Sequence, residues 1–392
     1  MNIILTSNSP GEISGWVKPV VGEISRGWPG ANVYLFILPC SFASGQECSV
    51  AANISGIKEV FPARDYWRLV LTGRRPAGYQ HAEEGLVLFL GGDQTHAVLI
   101  GSRLQYPVYV YTEGRALWPK RVQKYFVPYP EALAKVKEKA PGKGELVGNI
   151  MLDAVKPTMS RDAFRRDLGL KTHEPLVALF PGSRPGEFSY IAGFFCEATE
   201  LLKRELPAVR FVVSLSPFIP DALAREAFPQ DRFRDMILLK GRQYDIMHSA
   251  DLALTIPGTN TAEMAFEGLP MVVSVPLNRP ELIPLEGLPG LIGGLPLIGK
   301  PLKRRAVQAV NAKLKYTALP NILAKEEIIP ELRGDVTPAD LAQAAHELLS
   351  DEERRREMAE RLKAVIGPAG AARRLVNALQ KLTGYGDYVN EI

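Results

Sequence analysis

Cysteine is scarce: Cys40, Cys48 and Cys196 are the only three in 392 residues. An odd number without metal-ligand spacing excludes a disulfide framework and fits a reducing compartment. Strong charge is missing too. A formal net charge of +4 suits acidic partners such as nucleotide phosphates or an anionic membrane, but is too small to predict a nucleic-acid binder. No run reaches the roughly 18 apolar residues of a spanning helix. The chain opens directly on a strand pattern, Asn2 to Thr6, without a charged and then apolar leader. These absences predict a cytoplasmic protein. What is present is ordinary for a globular chain, 46% apolar and 23% charged. Its length exceeds what one core covers, so two domains are predicted.

Short apolar runs alternate with helix-length segments. In the first half the strands are read at Ile3-Ile4-Leu5, Val33 to Leu38, Gly85 to Gly92, Val108 to Tyr111 and Lys124 to Val127. Helices are read through Val17, Val20, Val21 and Ile24, and from Thr95 to Leu104. In the second half the strands are Leu176 to Phe180, Phe211 to Leu215, Met236 to Leu239, Leu252 to Ile256 and Met271 to Val275. Helices follow at Phe188 to Leu206, Asp351 to Val365 and Ala371 to Leu382. Strands separated by helices predict doubly wound parallel sheets. The fold class is therefore α/β, with two Rossmann-like domains facing across a cleft. The boundaries are 1–158 and 159–367, with the segment 371–392 packing back on the first domain. Ligands collect beyond the carboxyl ends of such strands, where four turns are expected: Ser7–Gly15, Gly91–His96, Pro181–Glu187 and Pro257–Glu263.

Two of these turns have phosphate chemistry. Ile256 to Pro270 reads strand, Pro257-Gly258 break, then a helix with Thr259 or Asn260 as its side-chain cap. Amides at such a helix start favour an anion, and Glu263, one turn inside, lies within reach of a sugar hydroxyl. Pro181-Gly182-Ser183-Arg184 likewise links strand to helix. Gly182 permits close backbone approach, Ser183 can cap or bond a phosphate oxygen, and Arg184 supplies a forked cation. Leu319 to Leu323, with Asn321 and then Glu326, Glu327 and Glu331, offers an amide and carboxylates for base or ribose recognition. For Glu326 and Glu327 a solvated helix surface is preferred.

In order along the chain, G-E-I-S-G at 11–15, W-P-K-R at 118–121, V-G-N at 147–149, P-G-S-R at 181–184, P-G-T-N-T-A-E at 257–263, L-P-N-I-L-A at 319–324 and P-E-L at 330–332 resemble the lipid A disaccharide synthase family. The resemblance implies a GT-B glycosyltransferase, inverting and metal-free, with no cofactor. It would move a sugar from a UDP-sugar donor to a lipid-linked acceptor at the cytoplasmic membrane face. Nucleotide-sugar binding then falls to Gly182, Ser183, Arg184, Gly258, Thr259, Glu263, Asn321 and Glu331, and the acceptor side to Gly11, Ser14, Gly15 and Trp118. The first half departs from the family. Trp16 replaces an acid, Gly91 to His96 carries one acid and a histidine instead of two close carboxylates, and Thr112 to Leu117 replaces an aromatic-rich segment.

An inverting transfer needs a base for the acceptor hydroxyl. The candidates, in order, are Asp93, His96, Glu12 and Glu113. A histidine near pKa 6.5 suits the task, although a helix-start histidine held by backbone is equally consistent. Leu282 to Leu302, rich in Gly and Pro and followed by Lys303-Arg304-Arg305, reads as an interfacial membrane contact; a buried rim loop or a homodimer contact is the alternative. Two other functions fit the pattern: a nucleotide-sugar epimerase, and a non-catalytic nucleotide-sugar binder. Against the epimerase, the five histidines (His81, His96, His173, His248, His346) lie mostly away from the four turns.

Overall fold

The computed structural model describes residues 1–40, 45–171, 173–229, 236–276 and 314–384. The Leu282–Arg305 stretch lies outside the described residues. Two compact units divide the chain, Met1–Ala154 with Pro368–Ile392, and Val155–Gly367.

The first unit is built on β1 (Asn2–Ser7), β2 (Asn32–Ile37), β3 (Ile57–Phe61), β4 (Gly85–Phe89), β5 (Val108–Tyr111), β6 (Val122–Val127) and β7 (Gly144–Leu146). All pair in parallel, in the order β3-β2-β1-β4-β5-β6-β7. Both faces of the central strands are covered, so Ile3, Ile4, Leu5, Leu86, Val87 and Leu88 are fully buried. That is why they read as continuous apolar runs. The second unit holds β8 (Leu176–Phe180), β9 (Arg210–Leu215), β10 (Met236–Lys240), β11 (Leu252–Thr255), β12 (Met271–Pro276) and β13 (Glu331–Gly334). These are also parallel, in the order β10-β9-β8-β11-β12-β13.

Each strand order reverses once, between β1 and β4 in the first sheet and between β8 and β11 in the second. Crossovers leave in opposite directions there, which opens a crevice beyond the carboxyl ends. The register brings Thr6 opposite Phe89 and Thr255 opposite Phe180. The turns after β1 and β4 therefore start side by side, and so do those after β8 and β11.

The helix Ala371–Thr383 belongs to the first unit. Ala372, Leu375, Val376 and Leu379 make one buried stripe, laid on the helix Lys18–Gly27. Its start is held by Asp153, whose carboxylate accepts from the amides of Gly370 and Ala372, the latter at 2.6 Å. Arg374 Nε donates to the Val147 carbonyl at 2.6 Å.

Two local expectations are corrected. Neither Thr259 nor Asn260 caps its helix through a side chain. Thr259 is already helical (φ −58°, ψ −33°), which removes the extended geometry a cap needs, and Asn260 Nδ2 turns back to Thr255 Oγ1 at 2.7 Å. Nor does Ser183 cap the long helix Pro185–Glu205, whose cap position is Arg184, without a side-chain bond, ahead of a proline start.

Candidate functional site

In the second unit the turn after β8 carries Gly182, Ser183 and Arg184, all half-buried, into the helix Pro185–Glu205. Gly182 has φ +101°, a left-handed conformation that a side chain would strain. Beside it the turn after β11 carries Gly258 and Thr259 into the helix Asn260–Glu267. Glu263 lies on the first turn of that helix and is only 8% exposed. Its Oε1 accepts from the Tyr244 hydroxyl at 3.0 Å. Burial raises its pKa to about 7, opposed by the Tyr244 hydrogen bond. Amides of two helix starts, a guanidinium and a buried carboxyl thus come from adjoining strand ends, a set suited to a diphosphate and its sugar.

Asn321 and Glu331 are placed differently from the expectation of base or ribose contact. Asn321 is 0% exposed, accepting from the amides of Ile328 (2.7 Å) and Ile329 (3.1 Å) and donating to Ile329 O (2.9 Å) and Glu331 Oε1 (2.8 Å). Glu331 also takes the amide and hydroxyl of Thr317 and the amide of Ala318. Both side chains are spent on closing their own loop.

In the first unit, Glu12 ends the short helix Pro10–Glu12 that follows β1, where it forms a capping box with Ser9. Its Oε2 accepts from Ser7 Oγ (3.4 Å) and from the amides of Asn8 (3.3 Å) and Ser9 (3.2 Å). Burial raises its pKa, and bonds from Asn8, Ser9 and Gly92 work against that. Gly91, in the turn after β4, lies against the same carboxylate: a Cβ there would come 2.0 Å from Glu12 Oε2. The segments after β1 and β4 therefore interlock at the strand-order reversal.

Asp93 caps the helix Gln94–Leu104, its Oδ1 accepting from Thr95 N at 2.8 Å. Burial pushes its pKa up, but the Thr95 hydroxyl and amide, His96 and Arg115 outweigh it, and the net shift is downward. Asp93 is exposed and ionised. His96, one turn on, shares a 2.5 Å hydrogen bond between Nδ1 and the Tyr66 hydroxyl and meets that ring edge-on. Burial lowers its pKa, with Asp93 opposing. Its imidazole is therefore neutral at pH 7.

Trp118 is 48% exposed, with its Nε1 donating to Thr95 Oγ1 at 3.0 Å. It adopts φ +56°, strained for a bulky residue, next to the capped helix start. Gln94 fixes the preceding segment, donating to Arg115 O (2.6 Å) and accepting from Leu117 N (3.0 Å). Gly11, Ser14 and Gly15 are helical rather than in the turn expected over Ser7–Gly15: the chain turns into helix at Pro10, with Gly11 in Pro10–Glu12 and Ser14 and Gly15 in the π-helical Ile13–Val17. Gly15 packs against Met151, where a Cβ would meet Cγ at 3.2 Å. Trp16, which stands where the family pattern has an acid, is buried edge-on against Tyr111 at 5.2 Å, its Nε1 without a hydrogen-bond partner among the described residues. Glu113 is exposed, in the segment between β5 and Trp118.

Sequence reading missed Gln94, Tyr66 and Tyr244. Gln94 sits inside the Gly91–His96 motif and was findable. The two tyrosines come from helices remote in sequence and carry no local signal.

Two α/β units of this topology, each with ligand-suited turns at its strand-order reversal, define the GT-B fold. Solved structures agree: an S. aureus MnaA–UDP co-structure superimposes with TM-score 0.60 at 16% identity, over 100% of this chain and 98% of that one. UDP-GlcNAc 2-epimerase from Neisseria meningitidis, bound to UDP-GlcNAc, gives 0.58 at 15%, over 97% and 100%. At these identities the likeness concerns the fold alone. In sequence the chain is similar to the lipid-A-disaccharide synthases. Residues 135–280 match the family described as Lipid-A-disaccharide synthetase. The lipid-A-disaccharide synthase of Pseudomonas savastanoi pv. phaseolicola is 34% identical over 207 residues, 52% of this chain and 48% of that protein. The chain thus spans about half the length of the first curated relatives it matches.

Proposed function

We propose that this protein is a glycosyltransferase of the lipid-A-disaccharide synthase type, moving a sugar from a UDP-sugar to a lipid-linked acceptor hydroxyl with inversion and without metal. The observation that carries the reading is the pair of adjoining turns after β8 and β11, both inside the matched residues 135–280. Gly182, Ser183 and Arg184 on one side and Gly258 and Thr259 on the other would hold the diphosphate, and Glu263 the nucleotide's sugar. When the bond from sugar C1 to the diphosphate oxygen breaks, Arg184 and the turn amides would take the charge of departing UDP.

Asp93 would take the proton of the acceptor hydroxyl as its oxygen bonds to C1; it is exposed, ionised and fixed by Thr95. His96 and Glu12 are the next candidates, and Gly11, Ser14, Gly15 and Trp118 would receive the acceptor. The protein would work peripherally, at the inner face of the cytoplasmic membrane, where a lipid-linked acceptor is presented; no helix of the described residues is long and apolar enough to cross a membrane.

Incubation with UDP-sugars and a membrane lipid extract, followed by mass spectrometry, should reveal a glycolipid heavier by one sugar; an epimerised UDP-sugar and unchanged lipids would overturn the reading. Arg184→Ala should weaken UDP binding at least tenfold in calorimetry, roughly the contribution of a charge-assisted contact. Asp93→Asn should leave UDP affinity unchanged and slow transfer about 100-fold or more. Equal loss of UDP binding in both would contradict this division of labour.

A further inference from the structure

Glu263 is bonded on one side only. Oε1 holds the Tyr244 hydroxyl at 3.0 Å, whereas Oε2 accepts no hydrogen bond from any described residue. A carboxyl almost fully buried in protein normally spends both oxygens. This one keeps an oxygen in reserve, on the helix turn that begins where β11 ends.

The topology explains why Tyr244 can reach it. The helix Gln243–Ser249 carries the chain from edge strand β10 back to central strand β11, across β9 and β8. That path lays Tyr244 against the helix Asn260–Glu267. The rest of the short helix is tied down independently. Asp245 accepts from the amides of Thr158 (2.6 Å) and Met159 (3.0 Å), and His248 pairs with Glu267 at 2.7 Å. Tyr244 is thus held on a fixed element, with one rotatable hydroxyl aimed at one carboxylate oxygen.

We infer that Tyr244 is a positioning residue for nucleotide recognition, orienting Glu263 so that Oε2 accepts from the vicinal hydroxyls of a ribose. This rests on the nucleotide reading of the β8 and β11 turns and adds a residue to it. Tyr244 does not touch the nucleotide; it limits the carboxylate to the rotamer that can.

The test uses the full chain, calorimetry, and two probes, UDP and 2′,3′-dideoxy-UDP, which lacks both hydroxyls. At pH 8, above the pKa of about 7 that burial gives Glu263, the wild type should prefer UDP by roughly tenfold, as expected for hydrogen bonds to a charged group. Tyr244→Phe, which deletes only the hydroxyl, should weaken UDP binding about five- to tenfold and the dideoxy probe less than twofold. Glu263→Gln should lose most of the preference between probes. A merely structural tyrosine would weaken both probes equally, and that result, or unchanged UDP binding in Tyr244→Phe, overturns the inference. If the wild type binds no UDP, the nucleotide reading itself falls and takes this inference with it.

Discussion

Glu263 and His96 have pKa values shifted by the same cause to opposite effect. Burial raises the Glu263 carboxyl from 4.5 to about 7. The folded chain therefore keeps a proton that the unfolded chain releases between those values. Its contribution to stability is complete below pH 4.5 and is lost as pH rises through 7, an amount of roughly 3 kcal/mol. Glu263→Gln cannot ionise and should escape the loss. Thermal melts should show the variant gaining on the wild type at pH 8 relative to pH 5, and a difference independent of pH would contradict the assignment. His96 has the other sign. Its lowered pKa means that the unfolded chain binds protons first as pH falls below 6.5, so its contribution is present above that value and declines in acid.

Among the elements, the turn after β4 has the least room to vary. Gly91 and Glu12 occupy adjoining space, and a methyl group at residue 91 would overlap the carboxylate. Gly91→Ala should cost roughly 1–3 kcal/mol in denaturant unfolding, the usual range for overpacking. Removing the carboxylate as well, in Gly91→Ala/Glu12→Ala, should recover part of it; additive losses would show that the two do not meet. Strands were legible wherever both faces are buried. The runs around Ile3 to Leu5, Leu176 to Phe180 and Leu252 to Thr255 show no polar interruption. Edge strand β10 was also legible, because M-I-L-L is an unbroken apolar run; edge strands β3 (I-K-E-V-F), β7 (G-E-L) and β13 (E-L-R-G) were not, because charged residues break up their short apolar pattern. The turns at 181–184 and 257–263 showed in their Gly, Ser and Thr content. The uses of Asn321 and Glu331 did not, since closing a loop on itself is a tertiary event that leaves the same residue types in sequence as binding a ligand does.

On the scale of the whole molecule, the two units are unequal in continuity. The second is one stretch, Val155–Gly367, whereas the first is assembled from both sides of it. Truncation before Gly370 removes the helix that Asp153 and Arg374 fasten and bares the apolar face of Lys18–Gly27. Such a chain should lose the cooperative melting of the first unit and keep the proposed UDP affinity within about twofold, because Arg184 and Glu263, the residues proposed to bind it, lie in the other unit. Loss of UDP binding along with it would show that the second unit depends on the first.

The bond between Asp153 and Ala372 joins positions 219 residues apart. During synthesis the carboxylate leaves the ribosome long before its partner amide exists, while every strand of the second sheet is already made. The amino-terminal half is therefore the later of the two to be completed: its hydrophobic flank must wait, uncovered, until translation has delivered the helix that seals it.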